Sequence, residues 1–330
     1  MPSVSIVVPC YNEQDTIQLL LEAVCRQSYP MEDMEVIIAD GLSTDQTRHI
    51  VATFQDEHPD LLVKIVDNPE HIIPAGINRA LEIANGEYLI RMDAHSIPYP
   101  DYVSRCIDAL KQGLGDNVGG IWEIRPGGEG WQSRAIAVAA SHPLGVGDAR
   151  YRLGGNARIV DTVPFGAFHR SLFERIGGFD ETLMTNEDYE FNVRVRRSGG
   201  VIWMDPAIRS TYFSRGSIAE LAKQYWRYGY WKARMLRRYP DTLRWRQLSG
   251  AFVLSFPILG ILAIWFPLAR LLLGLEVTLY LLALIIAGLQ TTLEKRDPAL
   301  LIGVPLAIVI MHFTWGTAFL YSLFRSMVGL

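Results

Sequence analysis

The sequence predicts an α/β domain built on a mostly parallel, doubly wound sheet, followed by an amphipathic helix and a helical membrane part. Three observations carry this. Short β-branched apolar runs alternate with segments of helical apolar spacing through the first two hundred or so residues, the pattern of strands whose crossover helices cover both sheet faces. Acidic side chains recur where these runs stop, notably Asp40 and Asp93, and in an open α/β sheet the carboxyl ends of the strands open into the ligand crevice. The last eighty or so residues are nearly free of charge, although 20% of the 330-residue chain is charged and 49% hydrophobic. The expected division is therefore a catalytic domain over 1–215, an interfacial helix over 216–248 and about three membrane helices over 249–330.

Val4 to Pro9 is a continuous apolar run, the mark of a strand buried on both faces. Ile17, Leu20, Leu21 and Val24 then recur at helical spacing. The pattern repeats with Val36 to Ala39 as strand, Asp40 to Asp45 as loop and Thr47 to Phe54 as helix. A third strand, Val63 to Val66, precedes a helix over Pro74 to Ala84 that Gly86 is placed to end. Tyr88 to Met92 forms the strand that delivers Asp93, Ala94 and His95, and Pro98 and Pro100 forbid further ladder pairing. A helix over Asp101 to Gln112 and a strand over Val118 to Ile124 follow. Pro126 to Asn156 carries closely spaced glycines and reads as a long, mobile loop. Thr162 to Phe168 restores a strand, Ser171 to Ile176 a helix, Gly177 to Glu181 a turn, Asn186 to Arg197 a helix and Val201 to Asp205 a last strand.

From Ile218 to Arg246, Trp, Tyr, Lys and Arg interleave at helical spacing, which suits a helix at a bilayer surface; the alternative is a solvated basic helix. Three apolar stretches follow, Ala251 to Ala269, Leu275 to Leu293 and Ala299 to Phe324, each near the roughly 20 residues a membrane helix needs. A turn is expected around Gly274. The cluster Lys232, Arg234, Arg237, Arg238, Arg244 and Arg246, and Lys295 with Arg296, mark the cytosolic side, so three spans would leave Leu330 outside. With no signal-peptide pattern at the N-terminus, the expected location is the inner membrane, multi-pass, with the catalytic domain cytoplasmic. A net charge of −4 gives no case for nucleic acid. Cys10, Cys25 and Cys106 form no C-x-x-C pair and read as buried thiols in a reducing compartment.

Four sets of residues carry chemistry. Asp93 and His95, at i and i+2 beyond a strand end, are metal-competent side chains that can share one divalent cation and hold a diphosphate against it. Asp40 ends the second strand, where a carboxylate can accept a nucleobase N–H or ribose hydroxyls; Ser43, Thr44 and Asp45 behind it suit either that role or the cap of the next helix. Glu187 and Asp188 are adjacent carboxylates at a helix start, open to two readings: a capping box with Thr185, or a base that deprotonates an incoming hydroxyl. Gln224 and Arg227, at i and i+3 beside Tyr228, place a guanidinium either near a leaving diphosphate or among lipid head groups.

Taken together, Pro9 to Glu13 (PCYNE), Ala39 to Thr47 (ADGLSTDQT), Gly76 to His95 ending in MDAH, Gly177 to Glu181 (GGFDE), Asn186 to Glu190 (NEDYE) and Gln224 to Gly229 (QYWRYG) resemble the family 2 inverting glycosyltransferases of the GT-A fold. Within them, the MDAH variant followed by C-terminal spans looks like the succinoglycan-type membrane glucosyltransferases. The resemblance implies that Pro9, Tyr11, Glu13, Asp40 and Asp93 bind the nucleotide sugar, that Asp93 and His95 hold the metal, that Asp188 with neighbouring Glu187 is the base, and that Gln224, Arg227 and Tyr228 clamp the acceptor or diphosphate. The usual D-x-D is D-A-H here, and an imidazole shifts preference from Mg2+ toward Mn2+. The implied partners are a UDP-sugar donor, a polyprenyl-linked acceptor and the lipid bilayer, with transfer of a sugar, glucose first, with inversion in polysaccharide biosynthesis. Two rivals stand beside it: a polyprenyl-phosphate glycosyltransferase, and a catalytically silent nucleotide-sugar-binding membrane subunit.

Overall fold

A computed structural model describes residues 2–244 and 249–328 of the chain. They divide into two compact units, Met1–Glu123 with Gly154–Tyr212, and Ile124–Leu153 with Phe213–Leu330.

In the first unit, β1 (Val4–Cys10), α1 (Ile17–Cys25), β2 (Met34–Asp40), α2 (Thr47–Glu57), β3 (Leu62–Asp67), α3 (Ile73–Ile83) and β4 (Tyr88–Arg91) alternate in the expected order. These strands are parallel, β1 pairing with both β2 and β4, and β2 with β3. Every residue of β1 and β2 is buried, as continuous apolar runs require. After β5 (Ser96–Pro98), α4 (Tyr102–Lys111) and β6 (Asn117–Arg125), the chain leaves through α5 (Gly130–Ala139), α6 (Pro143–Val146) and α7 (Arg150–Leu153). It returns as β7 (Arg158–Ile159), β8 (Ala167–His169), α8 (Arg170–Ile176), α9 (Glu187–Arg197) and β9 (Ile202–Phe213).

The later strands pair antiparallel, β8 with β4 and β6, and β9 with β5 and β7, so one nine-stranded mixed sheet results, ordered β3-β2-β1-β4-β8-β6-β9-β5. The expected strand over Thr162 to Phe168 shrinks to β8, and the one ending at Asp205 runs on to Phe213. Its core is Val4, Ile6, Val8, Leu20, Leu21, Val36, Ile38, Ile90, Met92 and their neighbours. Cys10 and Cys106 are buried and Cys25 half-buried, all free thiols.

The second unit is helical: α5–α7, then α10 (Ile218–Arg238), α11 (Ser249–Leu262), α12 (Pro267–Lys295) and α13 (Leu300–Met327). Pro126 to Asn156, expected as a loop, holds α5, α6 and α7, with Ala135, Ile136 and Ala139 buried against Leu300, Val304, Ala307 and Ile308 of α13. The expected catalytic domain of 1–215 and the compact units therefore divide the chain differently at this segment.

Helix α10 lays Gly229 against the α13 backbone, where a Cβ would come within 2.2 Å of the Trp315 carbonyl oxygen. Gly229→Ala should therefore lower the melting temperature of the detergent-solubilised chain, at a cost of about 1–3 kcal/mol for overpacking. An unchanged melting curve would mean that the two helices are free to separate.

The three expected spans become two helices long and apolar enough to cross a membrane, α12 and α13, preceded by the shorter apolar α11. With 14 residues α11 is about 21 Å long, less than the hydrocarbon core of about 30 Å. No turn occurs at Gly274, which lies inside α12; the break is at residues 263–266, where Arg270 donates to the carbonyls of Ala263 (2.6 Å) and Ile264 (2.9 Å). Arg270 thus satisfies two carbonyls of the turn between α11 and α12. Leu271, Leu275, Leu279, Ile286 and Leu293 of α12 are exposed, an apolar surface that points to membrane association. Arg246 and Leu330, used in the topology expectation, lie outside the described residues.

Candidate active site

Parallel register brings the carboxyl ends of β1, β2 and β4 to one sheet edge, with Cys10 opposite Asp40 and Val7 opposite Arg91. The loops that follow carry the candidate residues. Those after β1 and β2 are knitted together: the Asn12 amide donates to Ser43 Oγ (2.8 Å), the Thr44 amide to Asn12 Oδ1 (2.8 Å), the Glu13 amide to Thr47 Oγ1 (2.8 Å) and the Gln14 amide to Asp45 Oδ2 (3.2 Å).

Asp40 is 1% exposed. It accepts from the amide and hydroxyl of Ser43 (3.0 and 2.5 Å) and from Arg48 Nε (2.5 Å), and Arg48 also pairs with Asp67. Asp40 thus braces the loop from beneath. Pro9 is buried within β1, opposite Ala39. Tyr11 is half exposed, edge-on to His71 at 5.9 Å, and offers a ring plane at the rim.

A guanidinium at the end of the apolar strand β4 organises the centre. Arg91, the last residue of β4, is 4% exposed. It pairs with Asp93 (2.8 Å), Glu187 (3.2 Å) and Asp188, and lies over the Phe165 ring at 5.6 Å. A lone Arg in a strand buried on both sides is itself a signal, because a buried charge requires partners. Phe165 and Asn186, on the two segments that flank Arg91, have φ of 65° and 70°, unusual for residues with a side chain. Such strain gathers at functional sites.

The capping reading of NEDYE is not realised. The cap of α9 is Asn186, which makes no side-chain cap bond, and the Thr185 hydroxyl donates to the Met184 carbonyl. Glu187 is buried, whereas the Asp188 side chain keeps 27% exposure and can meet a ligand. Burial, reinforced by Glu187 and Asp93 and opposed by Arg91, raises the Asp188 carboxyl above the ordinary carboxylate range.

On the other side of Asp93 stands His95, whose Nε2 lies 3.9 Å from Asp93 Oδ2 and whose Nδ1 lies 3.0 Å from Glu13 Oε1. Glu13, expected in the nucleotide pocket, therefore holds the imidazole. Among the described residues no three His, Cys, Asp or Glu side chains converge to hold a metal ion. The spacing of Asp93 and His95 suits a divalent cation shared between them. Their 3.9 Å separation is less than two ordinary metal–ligand bonds of about 2.1 Å. The remaining expected residues lie on α10 in the second unit: Gln224 Nε2 donates to Tyr228 Oη (3.1 Å), and Arg227 is exposed.

Known proteins resemble this chain over most of its length. The chain is 31% identical over 317 residues to the succinoglycan biosynthesis protein ExoA of Rhizobium meliloti, covering 95% of this chain and 93% of that protein. It is 27% identical to a Methanococcus voltae dolichyl N-acetyl-α-D-glucosaminyl phosphate 3-β-D-2,3-diacetamido-2,3-dideoxy-β-D-glucuronosyltransferase, covering 99% of this chain and 98% of that one. Among solved structures, the mannosyltransferase PcManGT of Pyrobaculum calidifontis, in complex with GDP-Man and Mn2+, shares the fold with a TM-score of 0.63 at 20% identity, over 98% of this chain and 88% of that one. S. aureus TarS with UDP-GlcNAc gives 0.53 at 15%, over 100% and 92%. These bear out the GT-A fold. Residues 5–177 match the family model Glycosyl transferase family 2, and with these motifs in this order on this sheet the chain belongs to that family.

Proposed function

We propose that this membrane-associated glycosyltransferase moves a sugar, glucose first, from a UDP-sugar to a polyprenyl-linked saccharide, with inversion. One observation carries the reading: Arg91 ties the candidate base Asp188 and the candidate diphosphate-side ligand Asp93 into one cluster at the ligand edge of the sheet. Asp93 and His95 would hold a divalent cation, Mn2+ or Mg2+, which when bound stabilises the charge of the departing nucleoside diphosphate. Tyr11 stands where a base can stack, and Asp40 with Ser43 keeps that rim in shape. Asp188 removes the proton from an acceptor hydroxyl, which attacks the anomeric carbon in line with the leaving group, so the configuration inverts. Its raised proton affinity makes it a stronger base than an exposed carboxylate.

The Methanococcus voltae relative acts, by its name, at position 3 of a dolichyl-phosphate-linked sugar, which favours a lipid-linked saccharide over bare polyprenyl phosphate as acceptor. Gln224, Arg227 and Tyr228 are proposed to clamp acceptor or diphosphate, and α12 and α13 to sit in the inner membrane with the catalytic domain cytoplasmic. The test is a donor screen over UDP- and GDP-sugars with membrane extracts, reading radiolabel in the lipid phase. A UDP-sugar should label that phase, chelator should abolish labelling, and Mn2+ should restore it at least as well as Mg2+. Labelling by a GDP-sugar alone would overturn the donor assignment, and full turnover in chelator the metal assignment.

A further inference from the structure

The geometry points to Glu13 as the residue that fixes the tautomer and aim of His95 for metal binding, a role apart from any contact with the nucleotide. This rests on the reading of Asp93 and His95 as a cation site. Glu13 Oε1 lies 3.0 Å from His95 Nδ1. An ionised carboxylate only accepts, so Nδ1 must carry the proton, and in the neutral ring the lone pair is then on Nε2. That nitrogen is the one facing Asp93 Oδ2, at 3.9 Å.

The carboxylate is itself fixed. Its other oxygen accepts from the Thr16 hydroxyl at 2.6 Å, and the Glu13 amide is tied to Thr47 Oγ1 at 2.8 Å. The imidazole is thus aimed from the β1 loop while Asp93 is aimed from β4 by Arg91 at 2.8 Å. Carboxylate–histidine pairs of this kind orient the ring and raise its basicity as a ligand, and losing the carboxylate typically lowers metal affinity about 10- to 100-fold.

The experiment uses the full chain in detergent with UDP and Mn2+, following free Mn2+ by electron paramagnetic resonance and ligand nitrogen by electron spin echo envelope modulation. The wild-type chain should show nitrogen coupling that His95→Ala removes. Glu13→Ala should weaken Mn2+ binding about tenfold or more. Glu13→Gln, whose amide oxygen can still accept the Nδ1 proton, should recover most of the affinity. Glu13→Asp, which keeps the charge and lacks the reach, should not, and it serves if the alanine variant fails to fold. Thr16→Val removes the hydroxyl that holds Oε2 and should weaken Mn2+ binding, but less than Glu13→Ala does. Glu13→Ala and Glu13→Asp with wild-type affinity and unchanged nitrogen coupling would overturn the proposal while leaving the metal site intact. Absence of nitrogen coupling in the wild-type chain would overturn the metal site as well.

Discussion

Asp188→Asn should fold, bind UDP near normally and transfer sugar at least about a hundredfold more slowly, the usual scale for losing a general base. The structure sharpens the reason for expecting a clean result. Asp188 caps nothing: the helix cap is Asn186, so no capping energy is lost. An asparagine oxygen can still accept from Arg91, which keeps the cluster together, yet the amide cannot take a proton at neutral pH. The wild-type rate should also depend on pH with a definite sign. Because burial and the neighbouring acids raise the Asp188 carboxyl, the base is protonated and idle at low pH. The rate should rise through a limb displaced above the ordinary carboxylate range. Single-turnover transfer and UDP affinity, measured across pH on both proteins, decide it. Near-normal transfer by Asp188→Asn would remove it from the chemistry, and would favour a phosphate acceptor that needs no base.

Arg91→Met has the larger structural effect. Removing the guanidinium that Asp93, Glu187 and Asp188 share breaks three ion pairs made by buried and half-buried carboxylates, and breaking a buried pair typically costs about 3–5 kcal/mol. Transfer should be lost with it, since both the candidate base and the candidate metal ligand lose their tether. The sign with pH follows from linkage. Burial already raises the Asp188 carboxyl against the opposing pull of Arg91, so without the guanidinium it takes up a proton more readily than in the unfolded chain, and its contribution to stability is present at low pH and lost as pH rises through the raised value. The variant should therefore melt closest to the wild type under mildly acid conditions and fall furthest behind above neutrality. Equal melting temperatures at pH 8 would show that Arg91 does not hold the three acids together. Glu187, more deeply buried than Asp188, pairs with the same guanidinium.

What the sequence made legible, and what it hid, follows from local physics. β1 to β4 could be read because each is a compact apolar run, and parallel burial demands such runs. β8 is only three residues long, too short for any period to register, and Pro206 in the middle of β9 looks like a stop. The glycines between Pro126 and Asn156 look like mobile loop because glycine is permissive, yet a Cβ at Gly145 would come within 2.4 Å of the Ala139 carbonyl oxygen, so that glycine serves close packing. Asp93, His95 and Asp188 were named from motif and edge position. Arg91 lies inside the run that reads as a strand, and its role appears only when α9, nearly a hundred residues later, brings its acids beside it. The Glu13–His95 bond is invisible in sequence for the same reason.

The bonds that join Asn12, Glu13 and Gln14 to Ser43, Thr44, Asp45 and Thr47 turn two loops from different strands into one mechanical part. On the proposed reading, a donor entering here would meet a rim that has already given up its conformational freedom, so little binding energy would be spent on ordering these loops. The corollary is shared failure: loosening either loop should slacken the grip of both on the nucleotide, and a lesion at Asn12 should be felt as weaker donor capture, with the bond-forming step left intact.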